Sequence, residues 1–385
     1  LRFPGFTDDW EERKLKDIAQ FNPKTVLPDE FEYVDLESVV GTEMISHRTE
    51  SKDQAPSRAQ RLAQKGDVFY QTVRPYQMNN YLYDLPYDNY VFSTGYAQMR
   101  PNIDSYFLLN SVQNKQFVQH VLDRSTGTSY PAINSSDLSK IEIHVPSKLS
   151  EQQKIGAFFQ SIDDTIALHQ RKLDLLKEQK KGFLQKMFPK NGAKVPELRF
   201  AGFADDWEER KLKDIAQFNP KTVLPDEFEY VDLESVVGTE MISHRTESKD
   251  QAPSRAQRLA QKGDVFYQTV RPYQMNNYLY DLPYDNYVFS TGYAQMRPNI
   301  DSYFLLNSVQ NKQFVQHVLD RSTGTSYPAI NSSDLSKIEI HVPSKLSEQQ
   351  KIGAFFQSID DTIALHQRKL DLLKEQKKGF LQKMF

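Results

Sequence analysis

Side chains able to bind nucleobases gather in one short stretch of this sequence, residues 72–83, and recur in the second half of the chain. They are Arg74, Tyr76, Gln77, Asn79 and Asn80, then Arg271, Tyr273, Gln274, Asn276 and Asn277. Arginine pairs bidentately with guanine, and Asn or Gln with adenine, in the major groove of DNA. The stretch therefore predicts base contacts, with tyrosine packing against sugar or holding phosphate. An exposed polar loop of any domain would look similar, so that alternative remains open.

Two further stretches carry groups suited to phosphate. In residues 46–61 and their second-half equivalents, the basic side chains are Arg48, Lys52, Arg58, Arg61, Arg245, Lys249, Arg255 and Arg258. In residues 123–136 and their equivalents, the hydroxyl groups include those of Thr126, Thr128, Thr323 and Thr325. A flexible Gly127 within this last stretch would let backbone amides approach phosphate. Contacts to phosphate position a protein on a duplex without reading its sequence.

The sequence gives little sign of catalysis. It has no Walker A loop, no H-E-x-x-H, no G-x-S-x-G and no glycine-rich loop for S-adenosylmethionine. Asn22-Pro23 is followed by Lys24, so the aromatic motif that holds a flipped adenine is missing. The four histidines of the first half lack metal-ligand spacing, and the acidic residues near Asp29 form a solvated turn more readily than a nuclease site. We therefore expect a chain without catalytic residues, cofactor or metal of its own.

The chain is one unit written twice. Residues 1–188 recur as residues 198–385, with differences only at Pro4, which becomes Ala201, and Thr7, which becomes Ala204. A link, Pro189–Glu197, joins the copies. Repeats of this length are domain-sized. With no cysteine, no apolar run of membrane-span length and no visible signal peptide, the sequence favours a cytoplasmic protein.

Within each copy, about 150 residues of mixed, β-rich pattern precede a long helical tail. Residues 66–74, 89–101 and 140–146 predict strands, and residues 104–124 predict one helix. The tail begins with a capping box, in which Ser150 caps the helix and Gln153 reaches back. An apolar seam then recurs at heptad spacing, interrupted by two polar residues. The seam positions are Ile155, Phe159, Ile162, Ile166, His169, Leu173, Leu176, Lys180, Phe183 and Met187.

The link limits how the two predicted helices can pair. A helix over residues 150–188 is roughly 58 Å long at about 1.5 Å per residue. Nine extended residues span at most about 31 Å, too little to run back along a parallel partner. We therefore predict an antiparallel pair with one globular domain at each end. His169 and Lys180 would set its register, or would simply lie at a loose, surface-leaning edge of the seam.

The whole pattern resembles the specificity subunits of type I restriction–modification systems. The segments that carry the resemblance are LRF-x-GF-x-DDWEERKLKDIAQ, GDVFYQTVRP, FSTGYAQMRP, GTSYPAINSSDLSKIEIHVPS and the spacer helix LSEQQKIGAFFQSIDDTIALHQRKLDLLKEQKKGFLQKMF. They occur in the family's order, domain, helix, domain, helix, and cover essentially the whole chain.

The resemblance implies an α+β fold in which two identical mixed α/β target recognition domains are separated by two long antiparallel coiled-coil helices, with pseudo-two-fold symmetry. The implied bounds are recognition domains at 1–149 and 198–346, spacer helices at 150–188 and 347–385, and a linker at 189–197. Family members usually carry two different recognition domains. Two identical ones imply half-sites that are inverted repeats of each other.

The resemblance also implies partners. Double-stranded DNA would be read by the recognition domains, and two modification (methyltransferase) subunits would dock on the helices. Adenine methylation with S-adenosylmethionine, and ATP- and Mg-dependent cleavage by restriction subunits, would belong to those partners. Their basic surfaces would offset the net charge of −3 of this chain.

Two other functions remain open. A structural or assembly protein could use the coiled coil to space two β-rich modules that bind protein or glycan. A stand-alone symmetric regulator could bind DNA without partners. Capture of a methyltransferase subunit would exclude both, whereas palindrome-selective, salt-dependent binding by the chain alone would favour the regulator.

Overall fold

The computed structural model describes residues 1–190 and 192–385 and divides into two compact units. The first unit contains residues 1–170 and 368–385, and the second contains residues 171–367. Each unit is thus one β-rich domain together with part of each of the two long helices. The arrangement inside the second unit repeats that inside the first almost element for element.

The first domain has twelve strands, four short helices and one 3-10 turn at Pro75–Gln77. The strands are β1 (Glu11–Lys14), β2 (Ala19–Phe21), β3 (Glu30–Val34), β4 (Val39–Val40), β5 (Glu43–Met44), β6 (Arg48–Ser51), β7 (Ala59–Leu62), β8 (Val68–Gln71), β9 (Tyr81–Leu82), β10 (Tyr90–Ser93), β11 (Tyr96–Pro101) and β12 (Glu142–Val145). The helices are α1 (Leu15–Ile18), α2 (Ser105–Ser111), α3 (Lys115–Asp123) and α4 (Ser135–Leu138), followed by the long α5 (Leu149–Lys186).

Two four-stranded sheets form the centre of this domain. One has the order β6-β3-β10-β7 and the other the order β2-β11-β8-β9. β10 runs parallel to β3, and the other pairings are antiparallel. Smaller two-stranded sheets pair β1 with β12 and β4 with β5.

Strand β8 is buried on both faces, which explains its unbroken apolar and aromatic pattern. Val68 and Tyr70 belong to the cluster that packs against the helices, including Phe107 of α2. Between them, Phe69 points to the other sheet and stacks on Phe92 of β10, with ring centroids 3.7 Å apart and planes 10° apart. The residues that follow β8 therefore leave from a strand fixed by packing on both sides.

The predicted helical seam is confirmed. All nine seam positions within α5, and Met187 just beyond its end, are buried or half-buried, whereas Leu168 and Leu175, outside the seam, are exposed. In the first unit the start of α5 packs on the end of α10 (Leu346–Met384), with the rings of Phe158 and Phe380 5.0 Å apart. In the second unit the end of α5 packs on the start of α10, with Phe183 and Phe355 5.0 Å apart. Within each unit the two helices therefore run antiparallel.

Polar residues also pair at these packed surfaces. Lys377 Nζ lies 2.6 Å from Asp163 in the first unit, and Lys180 Nζ lies 2.5 Å from Asp360 in the second. Lys180 is thus held inside the helix pair, as expected of a residue that sets register. His169 is half-buried and has interactions of its own.

Three local predictions are wrong. The segment 104–124 forms two helices, because the Asn114 side chain accepts a hydrogen bond from Phe117 N at 2.8 Å and starts a new helix. The segment 89–101 forms two strands in different sheets, separated by a turn at Thr94-Gly95. The predicted capping box is absent, since α5 already begins at Leu149 and Ser150 lies inside it.

The end of α5 also differs slightly from the prediction. The helix ends at Lys186, so Phe188 lies beyond it and packs in the core of the second domain. No helix among the residues described is long and apolar enough to cross a membrane.

The second domain repeats these elements. Its strands are β13 (Glu208–Lys211), β14 (Ala216–Phe218), β15 (Glu227–Val231), β16 (Val236–Val237), β17 (Glu240–Met241), β18 (Arg245–Ser248), β19 (Ala256–Leu259), β20 (Val265–Gln268), β21 (Tyr278–Leu279), β22 (Tyr287–Ser290), β23 (Tyr293–Pro298) and β24 (Glu339–Val342). Its helices are α6 (Leu212–Ile215), α7 (Ser302–Val309), α8 (Lys312–Asp320) and α9 (Ser332–Leu335), with a 3-10 turn at Pro272–Gln274.

Candidate nucleic-acid interface

The loop that follows β8 has an unusual backbone. Arg74 and Met78 both adopt the left-handed conformation, with φ of 55° and 54°, on either side of the 3-10 turn Pro75–Gln77. Non-glycine residues rarely take this conformation, and each such residue costs of order 1–3 kcal/mol, which the surrounding structure must offset. Strain of this kind often marks a functional loop. The second copy repeats it at Arg271 and Met275.

The structure brings this loop together with the hydroxyl-rich stretch 123–136. Arg74 N donates to Pro131 O at 2.7 Å, and Ile133 N donates to Thr72 O at 3.0 Å. The Arg74 guanidinium lies 6.0 Å from the ring centroid of Tyr130, a side chain that is 70% exposed. Two stretches that lie far apart in the sequence therefore form one surface.

A tight turn connects this surface to Arg58. Thr72 donates from both its backbone N and its hydroxyl to Gly95 O, at 2.9 and 2.8 Å. The neighbouring Thr94 N donates to Arg58 O at 2.8 Å. We call the surface formed by residues 58, 72–79, 94–95 and 126–132 the recognition edge. In the second domain, equivalent hydrogen bonds join Arg271 to Pro328, Thr269 to Gly292 and Thr291 to Arg255.

Most candidate base-contacting residues are accessible on this edge. Tyr76 and Gln77 are exposed, and Arg74 is half-buried with its guanidinium beside Tyr130. Asn79 is half-buried, and its Oδ1 accepts a hydrogen bond from Gly41 N at 2.9 Å. In the second domain Tyr273 and Gln274 are exposed, and Asn276 accepts from Gly238 N in the same way.

Asn80 is not at the surface, so its prediction as a base-contacting residue is wrong. Its side chain is 1% exposed, and its Oδ1 accepts a hydrogen bond from Gln71 N at 2.8 Å. The bond closes the loop by joining its last residue to the end of β8. Asn277 is equally buried and bonds to Gln268 N in the second domain, so it has the same structural role.

The four basic residues of each phosphate-binding prediction differ in their environment. Arg48 is already paired with Glu50 at 2.7 Å and Asp35 at 3.0 Å, and it lies 4.7 Å from the ring centroid of Tyr33. The hydrogen bonds that its guanidinium donates to Glu50 and Asp35 raise the pKa of Arg48. Arg245 is held in the same way by Asp232 and Glu247, and its pKa is raised as well. A phosphate would have to displace these carboxylates.

Lys52 and Arg58 are exposed, as are Lys249 and Arg255. Arg61 is half-buried, with a buried Nε that has no hydrogen-bond partner among the described residues, and burial lowers its pKa. Arg258 repeats this environment. Of the four positions, residue 58 alone lies on the recognition edge, so the structure favours Arg58 and Arg255 for phosphate contact.

The threonine candidates are all exposed. Thr126 lies on the recognition edge, where its backbone N donates to Ala132 O at 2.8 Å and leaves the hydroxyl near the surface. Thr128, Thr323 and Thr325 are likewise exposed. Gly127 and Gly324 have φ of 90° and 89°, which only glycine adopts readily, so they allow the tight turn here.

Sequence analysis missed Tyr130 and the turn at Thr94-Gly95 as parts of this surface. Tyr130 stands in a stretch already singled out for its hydroxyls, so its own phenol hydroxyl was the available signal. Across residues 1–190 and 192–385, no group of three or more acidic or histidine side chains could hold a metal ion.

Comparisons with known proteins agree with this architecture. The structure of M. genitalium's type I restriction–modification S subunit has a TM-score of 0.66 at 15% identity, covering 100% of this chain and 98% of that one. A chain from a structure on assembly and conformational transition of the type I R-M system has a TM-score of 0.55 at 22% identity, covering 98% and 97%. At these identities the likeness concerns the fold alone.

Two curated relatives are similar in sequence. The HindI specificity subunit of Haemophilus influenzae is 26% identical over 42% of this chain, a match that spans 37% of that protein's length. The MjaVIII specificity subunit of Methanocaldococcus jannaschii is 22% identical over 72% of this chain and 69% of its own length. The chain thus matches little more than a third of one relative and about two thirds of the other.

The family model described as the type I restriction modification DNA specificity domain matches this chain twice, over residues 7–178 and 204–375. Each match contains one β-rich domain and most of the long helix that follows it. The chain belongs to the family of type I restriction–modification DNA specificity domains.

Proposed function

We propose that this chain is the DNA sequence-specificity subunit of a type I restriction–modification complex. The observation that carries the proposal is the recognition edge, built from the same residues in both domains on a strand buried on both faces. Family membership supports it, as do the two relatives that are named specificity subunits. In each domain an arginine and a glutamine are offered to base edges, exposed tyrosines to sugar or phosphate, and Arg58 or Arg255 to phosphate.

Each domain would read one half of a bipartite site. Because the two sets of recognition residues are identical, both halves would have the same sequence. The link length predicts that the two domains face opposite ways, so the half-sites would be inverted repeats. The paired helices would then fix the gap between them.

Two modification subunits would dock on the helices and domains and would supply methyl transfer from S-adenosylmethionine to adenine. Restriction subunits would supply ATP- and Mg-dependent cleavage. The net charge of −3 supports this division of labour, because an isolated DNA-binding chain usually has a more basic surface. Partner subunits would contribute much of the phosphate contact.

Mapping methylated adenines tests the proposal. The chain is expressed with its modification partner in cells that lack other adenine methyltransferases, and the control cells express the partner alone. We expect a gapped palindromic methylation site that depends on this chain. An asymmetric methylation site would contradict the proposal that two identical domains each recognise one half of the site.

Co-purification separates the remaining alternatives. Recovery of a methyltransferase subunit with the tagged chain supports the specificity subunit, whereas an assembly protein for protein or glycan ligands would show no DNA preference. Palindrome-selective binding by the chain alone, with a steep dependence on salt, would instead identify a stand-alone regulator.

A further inference from the structure

A buried glutamine holds the exposed Gln77 in a single orientation. Gln71, the last residue of β8, is 1% exposed. Its Nε2 donates to Val73 O at 2.6 Å and to Gln77 Oε1 at 2.9 Å. In the second domain Gln268 Nε2 donates to Val270 O at 2.7 Å and to Gln274 Oε1 at 2.9 Å.

The orientation follows from which groups can donate. Val73 O is an acceptor only, so it must face the amino group of Gln71 rather than its oxygen. The second hydrogen of that amino group then points at Gln77, which must present its own oxygen. Turning the Gln77 amide over would place two amino groups against each other and leave a buried donor without a partner, which is unfavourable.

The same buried residue also fixes the backbone of the loop. Gln71 N donates to Asn80 Oδ1 at 2.8 Å, so one residue holds both the end of the loop and the side chain in its middle. The left-handed residues Arg74 and Met78 restrict the turn between these points. Gln77 is therefore presented on a loop whose shape is set before any ligand arrives.

The orientation of the Gln77 amide decides whether this side chain offers a ligand a hydrogen-bond donor or an acceptor. Its oxygen is turned toward Gln71, and no hydrogen bond within the described residues uses its Nε2. The exposed side chain therefore presents a donor. A bidentate contact to adenine needs both an outward oxygen for N6 and an outward amino group for N7, and this arrangement does not offer the pair.

On the basis of the proposed function, we propose that Gln77 and Gln274 read a keto base, guanine or thymine, as hydrogen-bond donors, and that Gln71 and Gln268 are the positioning residues that set this polarity. Guanine presents O6 and N7 and thymine presents O4 as acceptors in the major groove, whereas the N7 acceptor of adenine stands beside its N6 donor and cytosine presents only its N4 donor there. Each half-site then contains a keto base opposite this loop.

The test is selection from a pool of duplexes with randomised half-sites, using the full chain in complex with its modification subunits. The variant Q77E/Q274E keeps the size of the side chain, and one carboxylate oxygen still accepts from Gln71 or Gln268. The other oxygen faces outward as an acceptor. We expect one position per half-site to change from a keto base to an amino base, adenine or cytosine, with a relative preference of roughly 5- to 150-fold, which corresponds to about 1–3 kcal/mol per contact.

The positioning role is tested by Q71M/Q268M, which removes both amide donors while filling similar space. We expect the same single position to broaden and admit adenine, with the other positions unchanged. A purely structural role would weaken all positions together. A change at a buried residue such as Gln71 can prevent folding. The exposed variant Q77E/Q274E then tests the proposal without the Q71M/Q268M result.

The matched control is Q64E/Q261E, which adds the same charge at exposed glutamines. Gln64 and Gln261 precede the first residues of β8 and β20, at the ends of these strands opposite Gln71 and Gln268. It should leave the selected site unchanged. If the wild-type complex selects no gapped site, the proposed function fails and this inference fails with it. If the wild-type complex selects such a site but Q77E/Q274E selects the same bases at every position, only the present inference is overturned.

Discussion

The paired Lys377 and Asp163 within the first unit allow a direct test of what the helix contacts contribute to stability. Their side chains are 15% and 19% exposed, and the same pairing of Lys180 with Asp360 occurs in the second unit. At an effective dielectric constant of about 20, charges 3 Å apart attract by roughly 6 kcal/mol before desolvation. Desolvation costs several kcal/mol for each ion, so the net contribution of the pair should be near zero.

The pKa of Asp163 supports this balance. Burial raises it above its usual value, although Lys377 acts in the opposite direction. The charged carboxylate is therefore less favourable in the folded chain than in the unfolded one. The contribution of the Asp163 carboxyl group to stability is therefore greatest below its pKa in the unfolded chain, where it is protonated, and declines as the pH rises through its pKa in the folded chain. Asp360 has a raised pKa for the same reason.

We expect K377M/K180M to lower the free energy of unfolding by about 3–5 kcal/mol per pair, since removal of each lysine leaves a buried carboxylate without its partner. Adding D163L/D360L should restore stability to the wild-type value or exceed it by about 1–4 kcal/mol per pair. Urea denaturation followed by circular dichroism measures both. The advantage of the four-fold variant should narrow as the pH falls from 7 to 4, because protonation relieves the buried carboxylates of the wild type.

The control uses a neighbouring exposed pair on each helix. Lys181 with Glu178, and Lys378 with Glu375, are half or more exposed, so K181M/K378M should change stability by less than about 1 kcal/mol. A wild-type midpoint for K377M/K180M would refute the reasoning. So would a four-fold variant less stable than K377M/K180M.

The remaining predictions concern the recognition edge and the core. R74A/R271A should cost about 1–3 kcal/mol of DNA binding per contact and relax the selected site, and unchanged binding with an unchanged methylation pattern would contradict that assignment. R58A/R255A should reduce the slope of log K for DNA binding against log salt by about 1 per domain without changing the selected site. R48A/R245A should change this slope less, because the arginines it removes are already paired with carboxylates. Equal slopes for the two variants would contradict this ranking. F188A, which removes a ring packed against Trp207 and Phe356, should destabilise the second unit by about 3–5 kcal/mol in thermal unfolding.

The repeat, the helices and their antiparallel pairing could be predicted from the sequence because each depends on a long pattern. A heptad seam over ten positions specifies one helix face, and the short link restricts how two such helices can pair. The break between α2 and α3 was missed because the apolar spacing continues through it. A single residue, Asn114, starts the second helix by a local hydrogen bond that periodicity does not reveal.

The candidate site was predicted only in part, since accessibility depends on contacts between distant residues. Asn79 and Asn80 are adjacent and chemically identical, yet only Asn80 meets Gln71 N and becomes buried. Arg48 is paired because the antiparallel register of β3 and β6 places it opposite Tyr33, near Asp35. Neither outcome can be read from residue type or from local spacing.

Gln71 connects the recognition loop to the core, and this has a consequence for how specificity can change. It ends a strand whose side chains pack on both faces, and it also directs the amide of Gln77. Exchanging exposed residues such as Gln77 should therefore alter the bases that are read at little cost to folding. Exchanging Gln71 changes the polarity of the loop and the packing of the strand together. A change of target is consequently more accessible through the outer residues, with the inner glutamine kept to hold each new side chain in place.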